Sequence, residues 1–123
     1  MPTLLLCNIP PQKRGKIQVL ALQLGCRVQV VPPERFGDKL EELLSGAAPG
    51  PETADPFAEE LLVMAGLDER RLDALLNGLR RQRIPIALKA VLTPTNAGWT
   101  VQALYAELCR EREAFAAGRQ AHT

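Results

Sequence analysis

The chain has 123 residues, enough for one domain and too few for two independent cores, and its 46% hydrophobic and 24% charged residues are ordinary globular proportions. A net charge of +1 gives no bulk electrostatic argument for nucleic acid or an anionic membrane surface. No apolar run nears the roughly 20 residues that span a bilayer, and Met1–Cys7 lacks a basic leader and a long apolar stretch, so a cytoplasmic protein is expected.

Leu4–Cys7 is a short apolar run halted by Asn8-Ile9-Pro10-Pro11, which predicts a buried strand and a turn. From Gln12 to Leu24 the apolar positions Ile17, Leu20, Ala21 and Leu24 share one helical face, and Gly25 ends the helix. Arg27–Val31 is a β-branched strand stopped by Pro32-Pro33. A short helix follows over Asp38–Leu44. The Gly- and Pro-rich stretch from Ser45 to about residue 58 predicts a mobile loop.

Leu61–Ala65 is the third buried strand, with Gly66 as its exit. Asp68 caps a helix to Arg83 whose Leu72, Leu75, Leu76 and Leu79 repeat the helical stripe. Ile86–Leu92 is the fourth strand. After Thr93–Gly98 a last helix opens at the Thr100 cap, with Trp99 and Leu104 as a hydrophobic staple, and fraying is expected beyond about residue 116. The β-α-β-α-β-α-β-α order predicts a single α/β domain over 1–123, a three-layer sandwich around a mainly parallel sheet of order 2-1-3-4, the half of a flavodoxin-like fold. No internal repeat is evident in the residues.

Several chemistries are closed to this chain. Three cysteines at irregular spacing make no disulfide framework, and with His122 as the only histidine neither a zinc site nor a histidine-dependent triad can be assembled. Asn8 and Gly66 stand where a receiver domain needs acidic residues, and no Walker or Gly-x-Gly-x-x-Gly loop occurs. No metal and no cofactor are therefore expected. Cys7, at the end of the first strand, is the one candidate nucleophile. Pro10 and Pro11 remove backbone donors from the loop after it, and Arg14 falls one position late for the spacing of cysteine phosphatases, which favours a buried inert thiol.

In a parallel sheet, ligands bind beyond the carboxyl ends of the strands. That rule selects Asn8, Gly66, Thr93, Thr95 and Asn96, the last three just before a helix whose free N–H groups favour an anion. The same polar side chains also suit turn capping around Pro94. Lys89 suits protection of an edge strand better than neutralisation of an anion, because it lies three residues before the strand end. Charge is segregated: residues 1–33 carry four cations and no acid, residues 34–60 eight acids against two cations, and the second long helix is arginine-rich. A dipolar surface for a charged partner would give this pattern, but solvated helix faces give it too and are the favoured reading. Few aromatics leave no stacking platform for RNA.

The run Ile86-Ala87-Leu88-Lys89-Ala90-Val91-Leu92-Thr93-Pro94-Thr95-Asn96, with Trp99, resembles the signature P-L-K-A-V-L-T-P-T-N-x-x-W of a small bacterial family known as domain of unknown function 3783. Asn8, Met64-Ala65-Gly66 and the Leu-rich helix extend the likeness, while Ala87 departs from the leucine expected there. The resemblance implies no activity or cofactor; it adds weight to Asn8, Lys89, Thr93, Thr95, Asn96 and Trp99. The expectation is a non-catalytic binding or regulatory module whose sheet rim takes a small anion or a protein partner, with no nucleic acid and no membrane. Its alternatives are a phosphoryl- or acyl-transfer enzyme with Cys7 as nucleophile and a purely homo-oligomeric protein.

Overall fold

Leu4, Leu5 and Leu6 leave no polar face to the pleat, so strand β1 (Thr3–Cys7) must lie inside a sheet covered on both sides. In the computed structural model, which describes residues 2–51 and 55–121, every residue of β1 and of β3 (Leu61–Ala65) is buried. These strands form the centre, and β2 (Arg27–Val31) and β4 (Leu88–Val91) form the edges of a four-stranded sheet of order 2-1-3-4. Helices α1 (Pro11–Gln23) and α3 (Glu69–Arg81) cover one face, where Ile17, Leu20, Ala21, Leu75 and Leu79 pack on Leu4, Leu6, Leu62 and Met64. Helices α2 (Leu40–Ser45) and α4 (Val101–Ala121) cover the other, where Leu40, Leu43, Val101 and Leu104 join Phe36 against Leu5, Cys7, Leu61 and Val63.

The expected elements, order and three layers are present, and the sheet is mostly parallel. One strand direction differs. β1 pairs with β2, and β3 with β4, in parallel, but β1 and β3 are antiparallel, with Cys7 opposite Leu61 and Thr3 opposite Ala65. This departs from the flavodoxin-like expectation. An apolar run buried on both faces carries no mark of its direction, and the 15 residues between Ser45 and Leu61 let the chain enter β3 from either end. Residues 52–54 of the expected mobile loop, and His122, lie outside the described residues; α4 continues past the expected fraying point to Ala121.

The reversal makes the molecule a duplicate of itself. Shifting the first half by 58 residues carries β1 onto β3, the left-handed Asn8 (φ 59°) onto Gly66 (φ 74°), α1 onto α3, and the left-handed Gly25 (φ 69°) onto Arg83 (φ 55°). After a three-residue insertion in the second half the shift becomes 61: Thr3 pairs with Arg27 as Leu61 pairs with Leu88. The contacts between halves are reciprocal under this operation. Leu40 N donates to Trp99 O (2.9 Å) and Val101 N to Asp38 O (3.2 Å); Glu41 N donates to Ala97 O (2.9 Å) and Gln102 N to Phe36 O (3.0 Å). Lys39 and Thr100, each other's counterparts, bridge antiparallel between these bonds. Leu5 faces its own counterpart Val63, and Leu20 sits over its counterpart Gly78. Two βαβα units are thus related by a pseudo-two-fold axis through the β1–β3 junction.

Candidate functional site

The antiparallel junction divides the rim expected from a parallel sheet. Asn8 leaves β1 beside the start of β3, where its Nδ2 donates to Phe57 O (2.7 Å) and Glu59 O (3.1 Å). Gly66 and the Thr93–Asn96 segment follow the parallel strands β3 and β4 and so lie at the opposite end of the sheet. No single rim brings Asn8 together with the other four.

The polar groups at the second end are spent on local structure. Asn96 is buried; its Oδ1 accepts from Thr93 N (2.8 Å), its Nδ2 donates to Val91 O (3.1 Å) and its N donates to Thr93 Oγ1 (3.2 Å). The first-turn amides of α4 are also occupied, Val101 and Gln102 by the carbonyls of the other half and Ala103 by the capping Thr100 Oγ1 (3.0 Å). A helix whose N-terminal donors are already satisfied offers little to an anion. The hollow beside Thr93, Thr95 and Asn96, about 300 Å³, also carries the carboxylates of Glu107 and Glu111.

Cys7 is fully buried, and burial pushes its thiol up to about 12. An inaccessible thiol with that pKa supplies no thiolate near neutral pH. All three cysteines are free, and among the described residues no group of three His, Cys, Asp or Glu could hold a metal.

The last residues of the acidic connector are fastened in place. Phe57 is stacked between Phe36 (4.4 Å between centroids) and Tyr105 (3.9 Å). Glu59 accepts two hydrogen bonds from Arg112 (both 2.9 Å) and one from the Tyr105 hydroxyl (2.8 Å). The Arg112 bonds first, and then that of Tyr105, hold the Glu59 carboxyl down to about 2. Lys13 Nζ bridges Glu60 (2.8 Å) and Pro85 O (2.6 Å), which joins the connector to the second half.

A further concavity is a groove that sequence reasoning missed. It is about 560 Å³ and lies between α3 and the edge strand β4, lined by Leu76, Leu79, Ile84 and Pro85 with Arg80, Arg83 and Lys89 around them. The three cations are exposed, and among the described residues none has a carboxylate within ion-pair distance. The fold does not require them. Their counterparts in the first half are Leu22, Gly25 and Val28, and Pro85 belongs to the insertion that the first half lacks. Both helices close the same way, Cys26 N donating to Ala21 O (2.8 Å) and Ile84 N to Leu79 O (2.9 Å). That closure needs a left-handed residue, supplied by glycine in one half and, at a steric cost of about 1–2 kcal/mol, by Arg83 in the other. The arginine run on α3 was visible in the residues; its convergence with Lys89 on an apolar floor needed the insertion's path.

No helix among the described residues is long and apolar enough to cross a membrane. Residues 60–115 match the family model described as Domain of unknown function (DUF3783), a match that begins at the second βαβα unit and ends within α4. No curated protein and no solved structure matches the chain. Over residues 60–115, the chain is similar to the DUF3783 family.

Proposed function

We propose that this protein is a non-catalytic binding module whose α3–β4 groove takes an organic anion with an apolar body. The observation that carries this reading is the set of three cations that, among the described residues, have no carboxylate partner around an apolar floor, at positions where the duplicate half has Leu22, Gly25 and Val28. A left-handed arginine is a locally unfavourable choice, and such choices cluster where binding repays them. Lys89 holds two roles here: it keeps the open edge of β4 from pairing with another strand and completes the cationic border. The free cysteines fit a cytoplasmic setting.

Two forces then act on one ligand. Each buried CH₂ adds up to about 0.8 kcal/mol, about fourfold in affinity, and a charge-assisted hydrogen bond to arginine adds about 1.5–3 kcal/mol. Isotope-labelled protein titrated with hexanoate, decanoate, octyl phosphate, decanol and inorganic phosphate separates the two. Amide shifts should centre on Arg80–Pro85 and Lys89, with decanoate and octyl phosphate binding more tightly than hexanoate, decanol or phosphate. Equal affinity across the series, or shifts confined to Thr93–Asn96, would return the site to the sheet rim.

A further inference from the structure

The pseudo-two-fold interface is built from two units of the same architecture, and a surface of that kind cannot tell a tethered unit from an untethered one. Both hydrophobic cores are shared: Ile17 and Leu20 of the first half pack with Leu75 and Leu79 of the second on one face, and Leu40 and Leu43 with Val101 and Leu104 on the other. The β1–β3 pairing and the reciprocal Leu40–Trp99 and Val101–Asp38 hydrogen bonds also cross between halves. Only one covalent connection, residues 46–60, joins them. The family match begins at residue 60 and ends within α4, so it covers the second of the two units alone.

We propose that the partner of this interface is a second copy of the chain: two chains exchange their second halves (residues 61–121), each half docking on the other chain's complement to give a closed dimer with two α3–β4 grooves. The exchange alters only the path of the connector, because every contact across the axis is kept. A short tether sets an effective concentration in the mM range, so the closed monomer dominates in dilute solution and exchange occurs when chains fold together at high concentration. The inference stands apart from the ligand of the groove.

The Lys39–Thr100 bridge supplies the test. The flanking bonds, Leu40 N to Trp99 O and Val101 N to Asp38 O, make it a non-hydrogen-bonded pair, whose Cα separation of about 4.5 Å suits a disulfide. Two full-length chains are prepared with Cys26 and Cys109 changed to serine, one carrying Lys39→Cys and the other Thr100→Cys. In closed monomers the two new thiols lie on different molecules and do not meet. Refolded together from denaturant between 0.01 and about 1 mM, the range set by the tether, and then oxidised, the pair should give a disulfide-linked species of twice the chain mass. Its yield should rise with protein concentration, and folded chains merely mixed should give almost none. Equal, concentration-independent yields from refolded and mixed samples would overturn the proposal. A second arm guards against a folding defect in Thr100→Cys: wild-type chain refolded at about 1 mM should show a dimer by light scattering that returns slowly to monomer on dilution. Monomer alone at every refolding concentration would equally overturn it.

Discussion

Arg83 concentrates the conflict between local geometry and use. Its left-handed backbone is natural for glycine, which the first half places there as Gly25, and unfavourable for a side chain with a Cβ. Arg83→Gly should therefore raise stability by about 0.5–1 kcal/mol in urea denaturation, once the flexibility glycine adds to the unfolded chain is subtracted. The same substitution should weaken decanoate binding about tenfold, the loss of one charge-assisted contact. Lower stability would mean that Arg83 holds the turn together. Glu59 carries a pH dependence of definite sign. Its carboxyl is lowered from an ordinary 4.5 to about 2, so its contribution is complete above about 4.5 and is lost as the pH falls toward 2. Between those values the urea midpoint of wild type should fall more steeply than that of Glu59→Gln. The difference should shrink in salt, because the pair with Arg112 is solvent-exposed. Neither property could be read from residue type: Arg83 looked like the end of an arginine-rich helix, and Glu59 like one acid among eight.

Element type and order were legible because each helix and strand carries its own period, while some ends shifted by two residues: β4 starts at Leu88 rather than Ile86, and α2 at Leu40 rather than Asp38. Asp68 does cap α3, its carboxylate accepting from Arg71 N at 2.8 Å, and Leu104 is buried with Trp99 packed against the same core, as the staple pattern implied. The direction of β3 was not legible, and the rim depended on it. The α1–α3 crossing shows what else individual residues conceal. A Cβ placed on Gly78 would come within 2.7 Å of a Leu20 methyl, so the helices meet as a knob on one and a gap on its twin. Gly78→Val should cost about 1–3 kcal/mol in urea denaturation through overpacking. Adding Leu20→Ala should recover part of that loss, a coupling a double-mutant cycle would measure. Strict additivity would show that the two helices yield independently.

At the scale of the molecule, the duplication escaped the residues because the halves share little beyond apolar pattern. Under the structural correspondence, matched identities such as Leu4 with Leu62, Val30 with Val91 and Leu43 with Leu104 are scattered singly, and two different shifts are needed to collect them. Backbone shape preserved what side chains lost: two left-handed positions per half, equal registers and mirrored hydrogen bonds. Asn96, selected from the residues as a rim ligand, makes turn hydrogen bonds to Thr93 and Val91, which no spacing rule distinguishes from a ligand contact.

A protein built from two matching halves also contains its own template. The first-half corner at Leu22, Gly25 and Val28 has the same helix closure and the same edge-strand position as the groove, with uncharged residues at the three cation positions and the Arg71 guanidinium 4.0 Å from where a Cβ on Gly25 would lie. Writing Leu22→Arg, Gly25→Arg and Val28→Lys there transplants the cations without the Pro85-containing insertion. Decanoate shifts at the rewritten corner would make the charges sufficient for recognition. A silent corner in a folded variant would assign selectivity to the three inserted residues, and loop length would then be the quantity to vary in retargeting this scaffold.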